Sequence, residues 1–156
     1  IHQSDKVSDN FILYDRFWAG WGDGIAESTD YDYAKTARDN FRKNMKSSDY
    51  ILCCRGAGNF SYRLYESLSA GRIPIIIDTD IVLPHEEIIP WKDISIWIKS
   101  ENIDNIANNI LAAHQKMTAK QFIAKQQLCR KVYENFIRPT EFFKVWLEAN
   151  LGDTND

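Results

Sequence analysis

Nowhere in these 156 residues does an apolar run approach the ~20 residues that a membrane-spanning helix needs. The longest, residues 73–77, has the length of a strand and contains Pro74. Cysteine is scarce: three residues, of which Cys53 and Cys54 are adjacent, make no disulfide framework. Neighbours on a strand point to opposite faces, so these two do not pair with each other. Buried thiols in a reducing compartment are the expectation, which favours a cytoplasmic location, free or at a membrane surface. Charge of one sign is missing too. Nineteen basic residues stand against 22 acidic ones, interspersed, for a net charge of −3. That excludes the clustered basic face of a nucleic-acid binder. There is no internal repeat. The chain opens at Ile1 with neither Met nor a signal-like stretch, and reads as a piece of something longer.

What is present is enough for one domain with a core. Hydrophobic residues are 44% and aromatics 13% of the chain, which excludes a disordered or fibrous protein. Residues 1–32 give little pattern. Phe11, Ile12, Leu13 and Tyr14 suit a strand, and residues 18–24 form a Gly-aromatic loop that either plugs a core or stacks a sugar. Residues 33–47 read as a helix with Ala34, Ala37, Phe41 and Met45 near one face. Strands are expected at 50–54, at 73–78, apolar at nearly every position because both faces are covered, and at 94–98, alternating and nearer an edge. A short helix, 62–70, carries Leu64 and Leu68 toward a sheet and stops at Gly71. Three helices close the chain. The first bears the stripe Ile103, Ile106, Ala107, Ile110, Leu111 and His114. The second opens on a capping box, Thr118 with Gln121, and buries Phe122, Cys129, Val132 and Phe136. The third starts at Pro139 with Phe143, Trp146 and Leu147 inward, and residues 152–156 form a frayed tail. Strands alternating with helices predict an α/β fold, a Rossmann-like parallel sheet flanked by helices, in a single domain over 1–156.

The chemistry concentrates between residues 55 and 80. Strand, Gly-rich turn, helix and strand present backbone N–H groups to a phosphate at the carboxyl end of a parallel sheet. Gly56 and Gly58 let the backbone bend toward a ligand, and Asn59 lies in the same bend. Ser61, at the helix start, caps the helix or donates to a phosphate oxygen. Arg63 stands in the first turn, where the helix dipole disfavours a cation and a nearby anion offsets the penalty. Its guanidinium can grip a phosphate with two parallel hydrogen bonds, and Arg55 offers a second cation. Glu66, one turn on, shares a face with Arg63 and suits a ribose diol. A plain intrahelical Arg–Glu pair is the competing reading. Asp78 and Asp80 follow the second strand, where two carboxylates can hold a divalent cation or serve a turn.

These residues carry a resemblance. Residues 50–98 resemble the exostosin family of glycosyltransferases, through Leu52-Cys53, Arg55-Gly56, Ser61-Tyr62-Arg63, Glu66-Ser67-Leu68, Ala70 to Pro74, Asp78, Leu83-Pro84 and Trp91. Residues 98–111 look like the family's C-terminal helices, and 1–32 contribute nothing. The resemblance implies a GT-B architecture, two facing Rossmann-like lobes, of which this is the C-terminal, donor-binding one. It implies an enzyme that transfers sugar from a nucleotide diphosphate sugar to an acceptor hydroxyl in glycan or polysaccharide synthesis, by inversion, and without a catalytic metal or other cofactor. Arg63 would serve the diphosphate, Glu66 the ribose or base-side hydroxyls, and Ser61 with the Gly56–Gly58 backbone would line the phosphate. The catalytic base would come from the other lobe or a partner chain, leaving the isolated chain weakly active. In a eukaryotic cell the location would be the Golgi lumen. Two positions depart from the family pattern: Cys54 where Pro is frequent, and His85 where an aromatic follows Leu-Pro. His85 is expected on the rim of the cleft. Two other readings stay open: a metal-dependent transferase using Asp78 and Asp80, and a non-catalytic interaction domain.

Overall fold

A computed structural model describes residues 4–13, 31–56 and 58–151. Three parallel strands, β1 (Tyr50–Cys53), β2 (Ile73–Asp78) and β3 (Ile96–Lys99), form a sheet in the order β1-β2-β3. Leu52 lies beside Ile75, and Ile77 beside Ile98. The fold is α/β, with a Rossmann-like parallel sheet flanked by helices. β2 is buried from Ile73 through Ile77, as a central strand covered on both faces must be.

Several helix ends have a local cause. Helix α1 (Tyr31–Ser47) seats Ala37 and Met45 in the interior. Arg72 closes its carboxyl end: Nε donates to the Met45 carbonyl at 3.2 Å and Nη2 to that of Lys46 at 2.6 Å, a cation where the helix dipole favours one. Helix α2 (Tyr62–Ser69) lies on β1 and β2 with Leu64, Ser67 and Leu68 buried. It ends where Gly71 takes a φ of +63°, a backbone region that glycine enters without strain. Helix α3 (Trp91–Ile94) is a single turn before β3. A 3-10 turn (Ser100–Asn105) leads into α4 (Ile106–Gln115). Helix α5 (Ala119–Val132) opens on the Thr118 capping box, Gln121 N–H donating to Oγ1 and Thr118 N–H to Gln121 Oε1 at 2.8 Å. A π-turn (Tyr133–Ile137) joins it to α6 (Pro139–Leu151).

Some expectations need correction. The third strand runs two residues later at its start than the alternation suggested, because Trp91 to Ile94 close a helical turn whose last buried residue, Ile94, falls in phase with Ile96 and Ile98. Ile103 and His114, at the ends of the first closing stripe, are exposed, while Ile106 and Ile110 are buried. Phe143, Trp146 and Leu147 do not point inward. They are 61%, 48% and 44% exposed, because α6 turns Glu141, Phe142 and Val145 toward the rest of the fold. Phe122 and Phe136 are half-buried against the core. Residues 11–13 carry no regular secondary structure, and the Gly-aromatic loop 18–24 lies outside the described residues. Among the described residues, no helix is long and apolar enough to cross a membrane.

Candidate donor-binding site

The bend after β1 is shaped by its own backbone. Gly56 N–H donates to the Phe60 carbonyl at 3.0 Å, which closes the turn. Gly58 faces the Phe60 ring: a Cβ there would lie 2.7 Å from Phe60 Cε1. A side chain at 58 would therefore have to displace the Phe60 ring. Asn59 spans to the turn after β2. Its Nδ2 donates to the Asp80 carbonyl at 2.8 Å, and its Oδ1 accepts from Thr79 Oγ1 at 3.1 Å. Asp78 Oδ1 accepts the Asp80 N–H at 3.2 Å. Asp80 itself has a φ of +57°, a region that aspartate enters more readily than most residues. The two turns at the carboxyl ends of β1 and β2 are thus stitched together through one amide.

Ser61 is the N-cap of α2, with extended backbone angles of −133° and 115°. Its carbonyl accepts from Leu64 N–H at 3.1 Å, but its buried hydroxyl makes no capping bond. A helix start whose hydroxyl cap goes unused keeps its partial positive charge available to an anion. Arg63 and Glu66 face each other across 3.3 Å, 44% and 43% exposed. The intrahelical pair is therefore formed. A surface pair at this spacing stabilises a helix by only about 0.2–0.5 kcal/mol, so a diphosphate can compete for the guanidinium. The guanidinium also lies 4.4 Å over the Phe41 ring of α1, an aromatic seat that holds a cation in place without neutralising it. Arg55 is exposed at the start of the bend.

Arg63 borders a groove of about 570 Å³ that also involves Phe41, Asn44, Tyr50, Leu52 and His114. There the Tyr50 hydroxyl and His114 Nδ1 are 2.6 Å apart. Burial, and secondarily Asp49, push the Tyr50 hydroxyl up to about 12, so it keeps its proton at neutral pH. Phe41 and this Tyr–His pair had no motif in the sequence to announce them. Phe60 did have a signal, its place between Gly58 and Tyr62.

His85 is not on a rim. Its side chain is only 5% exposed, packs 4.9 Å from the Phe142 ring of α6 and sits at a φ of +52°. Nδ1 lies 3.9 Å from Glu87 Oε1, and Nε2 has no hydrogen-bond partner among the described residues. His85 thus packs against α6, while Asp78 and Asp80 are joined to the bend through Asn59. Among the described residues no three His, Cys, Asp or Glu side chains gather as a metal site. Cys53, the last residue of β1, is buried, and Cys54, one residue past the end of the strand, is exposed. Burial pushes the Cys53 thiol up to about 12.

A three-stranded parallel sheet flanked by helices, with a Gly-rich bend feeding a short helix at the carboxyl end of β1, makes a Rossmann-like lobe. The family model described as the Exostosin GT47 domain matches residues 4–114. The chain belongs to that family of glycosyltransferases. It is 33% identical over 98 residues to a protein of rice (Oryza sativa subsp. japonica) named a probable glucuronosyltransferase, covering 63% of this chain and 22% of the rice protein. It is 33% identical over 73 residues to "Probable beta-1,4-xylosyltransferase IRX10L" of Arabidopsis thaliana, covering 47% and 18%. It is 31% identical over 93 residues to "Probable glucuronosyltransferase 47 A" of Physcomitrium patens, covering 58% and 20%. These matches span about a fifth of the curated relatives' length.

Proposed function

We propose that this chain is the donor-binding lobe of a GT-B glycosyltransferase, moving a sugar from a nucleotide diphosphate sugar to a hydroxyl of a glycan or polysaccharide acceptor. One observation carries the reading: the start of α2, its hydroxyl cap unused, stands at the carboxyl end of β1 with Arg63 and Glu66 on its exposed face. In glycosyl transfer the difficult charge develops on the departing diphosphate. Fixed N–H dipoles and a guanidinium aimed at that charge stabilise it without reorganising. Arg63 exchanges its Glu66 partner for diphosphate oxygens. Glu66 is then free to accept from the ribose hydroxyls one helical turn away. Arg55, the Gly56–Gly58 backbone and Ser61 line the same bend, and Asn59 holds it to the β2 turn.

The transfer inverts and takes place without a resident metal in this proposal. What supports metal independence is that Asp78 Oδ1 accepts the Asp80 N–H, the turn-forming use of a carboxylate at this position. The base that takes the acceptor proton comes from a second lobe or a partner chain, so the 156 residues alone bind nucleotide and turn over poorly. We place the reaction in the cytoplasm or, in a eukaryotic cell, in the Golgi lumen.

Calorimetric titration with UDP and GDP tests this. Saturable binding of one of them that survives EDTA, and weakens at least about tenfold in Arg63→Ala as expected for loss of a charge-assisted phosphate contact, is the expected result. No heat and no thermal shift with either nucleotide contradicts the proposal. Binding abolished by EDTA transfers the role to Asp78 and Asp80.

A further inference from the structure

We propose that Phe60 is the platform on which the nucleobase of the donor stacks. This rests on the nucleotide reading above and names the residue that would read the base end of the ligand.

A single exposed phenylalanine is ordinary on a protein surface and needs no explanation. Phe60 differs in being exposed and held. Its carbonyl accepts the Gly56 N–H, so its backbone is fixed by the closure of the bend. Its ring lies against Gly58 so closely that a methyl group there would stand 2.7 Å from Cε1 and 2.9 Å from Cδ1. The Tyr62 ring meets it at 85°, with centroids 5.1 Å apart. The preceding residue, Asn59, is bonded to both Thr79 and Asp80, so the bend has little room to swing. Through all of this the phenyl ring stays 41% exposed. Holding an apolar ring open to water has no benefit for folding, because the area it leaves uncovered is area not removed from solvent. It does benefit a ligand: a ring already immobilised loses little conformational entropy when something stacks on it.

The ring's place in the chain says what would stack. Phe60 immediately precedes Ser61, the N-cap of α2, where the diphosphate is proposed to sit. In this proposal a nucleotide held there by its phosphates turns its base toward the bend. A phenyl face offers no hydrogen-bonding atoms, which suits the flat face of a heteroaromatic base. The glycine at 58 then serves the base end of the ligand by letting the ring lie down, and the phosphate end only indirectly.

Titration of UDP and of inorganic pyrophosphate into four proteins separates these roles: the unmodified chain, Phe60→Ala, Gly58→Ala and the double variant. Stacking on a base predicts that Phe60→Ala weakens UDP about tenfold and pyrophosphate by less than about twofold, on the scale of base–aromatic contacts. Gly58→Ala should weaken UDP in the unmodified background, by displacing the ring, and add nothing once Phe60 is gone. Phe60→Trp should retain or improve UDP affinity, and Phe60→Leu, which keeps apolar bulk without a π face, should lose it; this pair also answers the question if the alanine variant folds poorly. Equal losses for UDP and pyrophosphate, or no loss of UDP in Phe60→Ala and Phe60→Leu, would overturn the assignment while leaving the nucleotide site standing. An unmodified chain that binds neither ligand overturns the nucleotide reading, and the base platform with it.

Discussion

Helices α2 and α6 carry equally plain apolar stripes and meet opposite fates. In α2, Leu64 and Leu68 are 1% and 0% exposed, sealed between β1, β2 and α5. In α6, the stripe of Phe143, Trp146 and Leu147 stays open, and no residue of the helix is fully buried. Periodicity tells which side of a helix is apolar. It does not tell whether a neighbour arrives to cover that side. α2 lies between two consecutive strands of one parallel sheet, so its connections place it on the sheet. α6 touches chiefly the π-turn before it and, through Phe142, His85, so no strand connection places it on the sheet.

The same contrast exists within α2. Its inner face holds the fold together, while its outer face carries Arg63 and Glu66 in a pair too weak to matter for stability. Substitutions on the two faces should therefore separate folding from binding.

The largest effect is expected on the sealed face. Leu68→Ala should destabilise by about 3–5 kcal/mol, the cost of removing a fully buried side chain from a site that cannot collapse, as read by urea unfolding. A loss below about 1 kcal/mol would mean that α2 is not anchored as described. Alkaline pH probes the same packed interior more gently. Burial raises the thiols of Cys53, on the β1 strand beneath α2, and Cys129, in α5, from 9.0 to about 12. The unfolded chain then releases these protons before the folded one does. Stability is fully present below pH 9 and should fall as the pH rises from 9 toward 12. Denaturant midpoints at pH 8 and pH 10.5 measure it. A Cys53→Ala, Cys129→Ala protein should lose part of the decline, and an unchanged decline would assign it to other groups. The smallest effect belongs to the open stripe. Trp146→Ser should shift stability by no more than about 0.5 kcal/mol, the range of exposed positions. A loss of several kcal/mol would show that α6 is packed more tightly than its exposure indicates.

What could be read from the sequence divides along the same line. Features with a local cause were legible. The glycine stop at Gly71, the Thr118–Gln121 box, the run of buried β2 positions and the spacing of Arg63 and Glu66 each need only a few neighbouring residues to be specified. The family resemblance rested on the same compact block. Features that need a distant partner were not legible. His85 looks like a surface residue until Phe142 of α6 closes over it, 57 positions along the chain by number, at 4.9 Å. Phe41 gains its role only when Arg63 folds onto it. Asn59 reads as one more polar residue in a Gly-rich bend, and its two hydrogen bonds to the β2 turn depend on the pairing of β1 with β2. The early start assigned to β3 has another origin: Trp91 and Ile94 at helical spacing lead straight into alternating Ile96 and Ile98, and no signal in that run marks the switch of period.

The account turns on where the diphosphate sits, and a crystal of this chain soaked with UDP or GDP answers that most directly. The predicted result is density for the two phosphates at the start of α2, with the Arg63 guanidinium released from Glu66 and within hydrogen-bond distance of their oxygens. Phosphates bound elsewhere, with the Arg63–Glu66 pair still closed beside an empty bend, would contradict it.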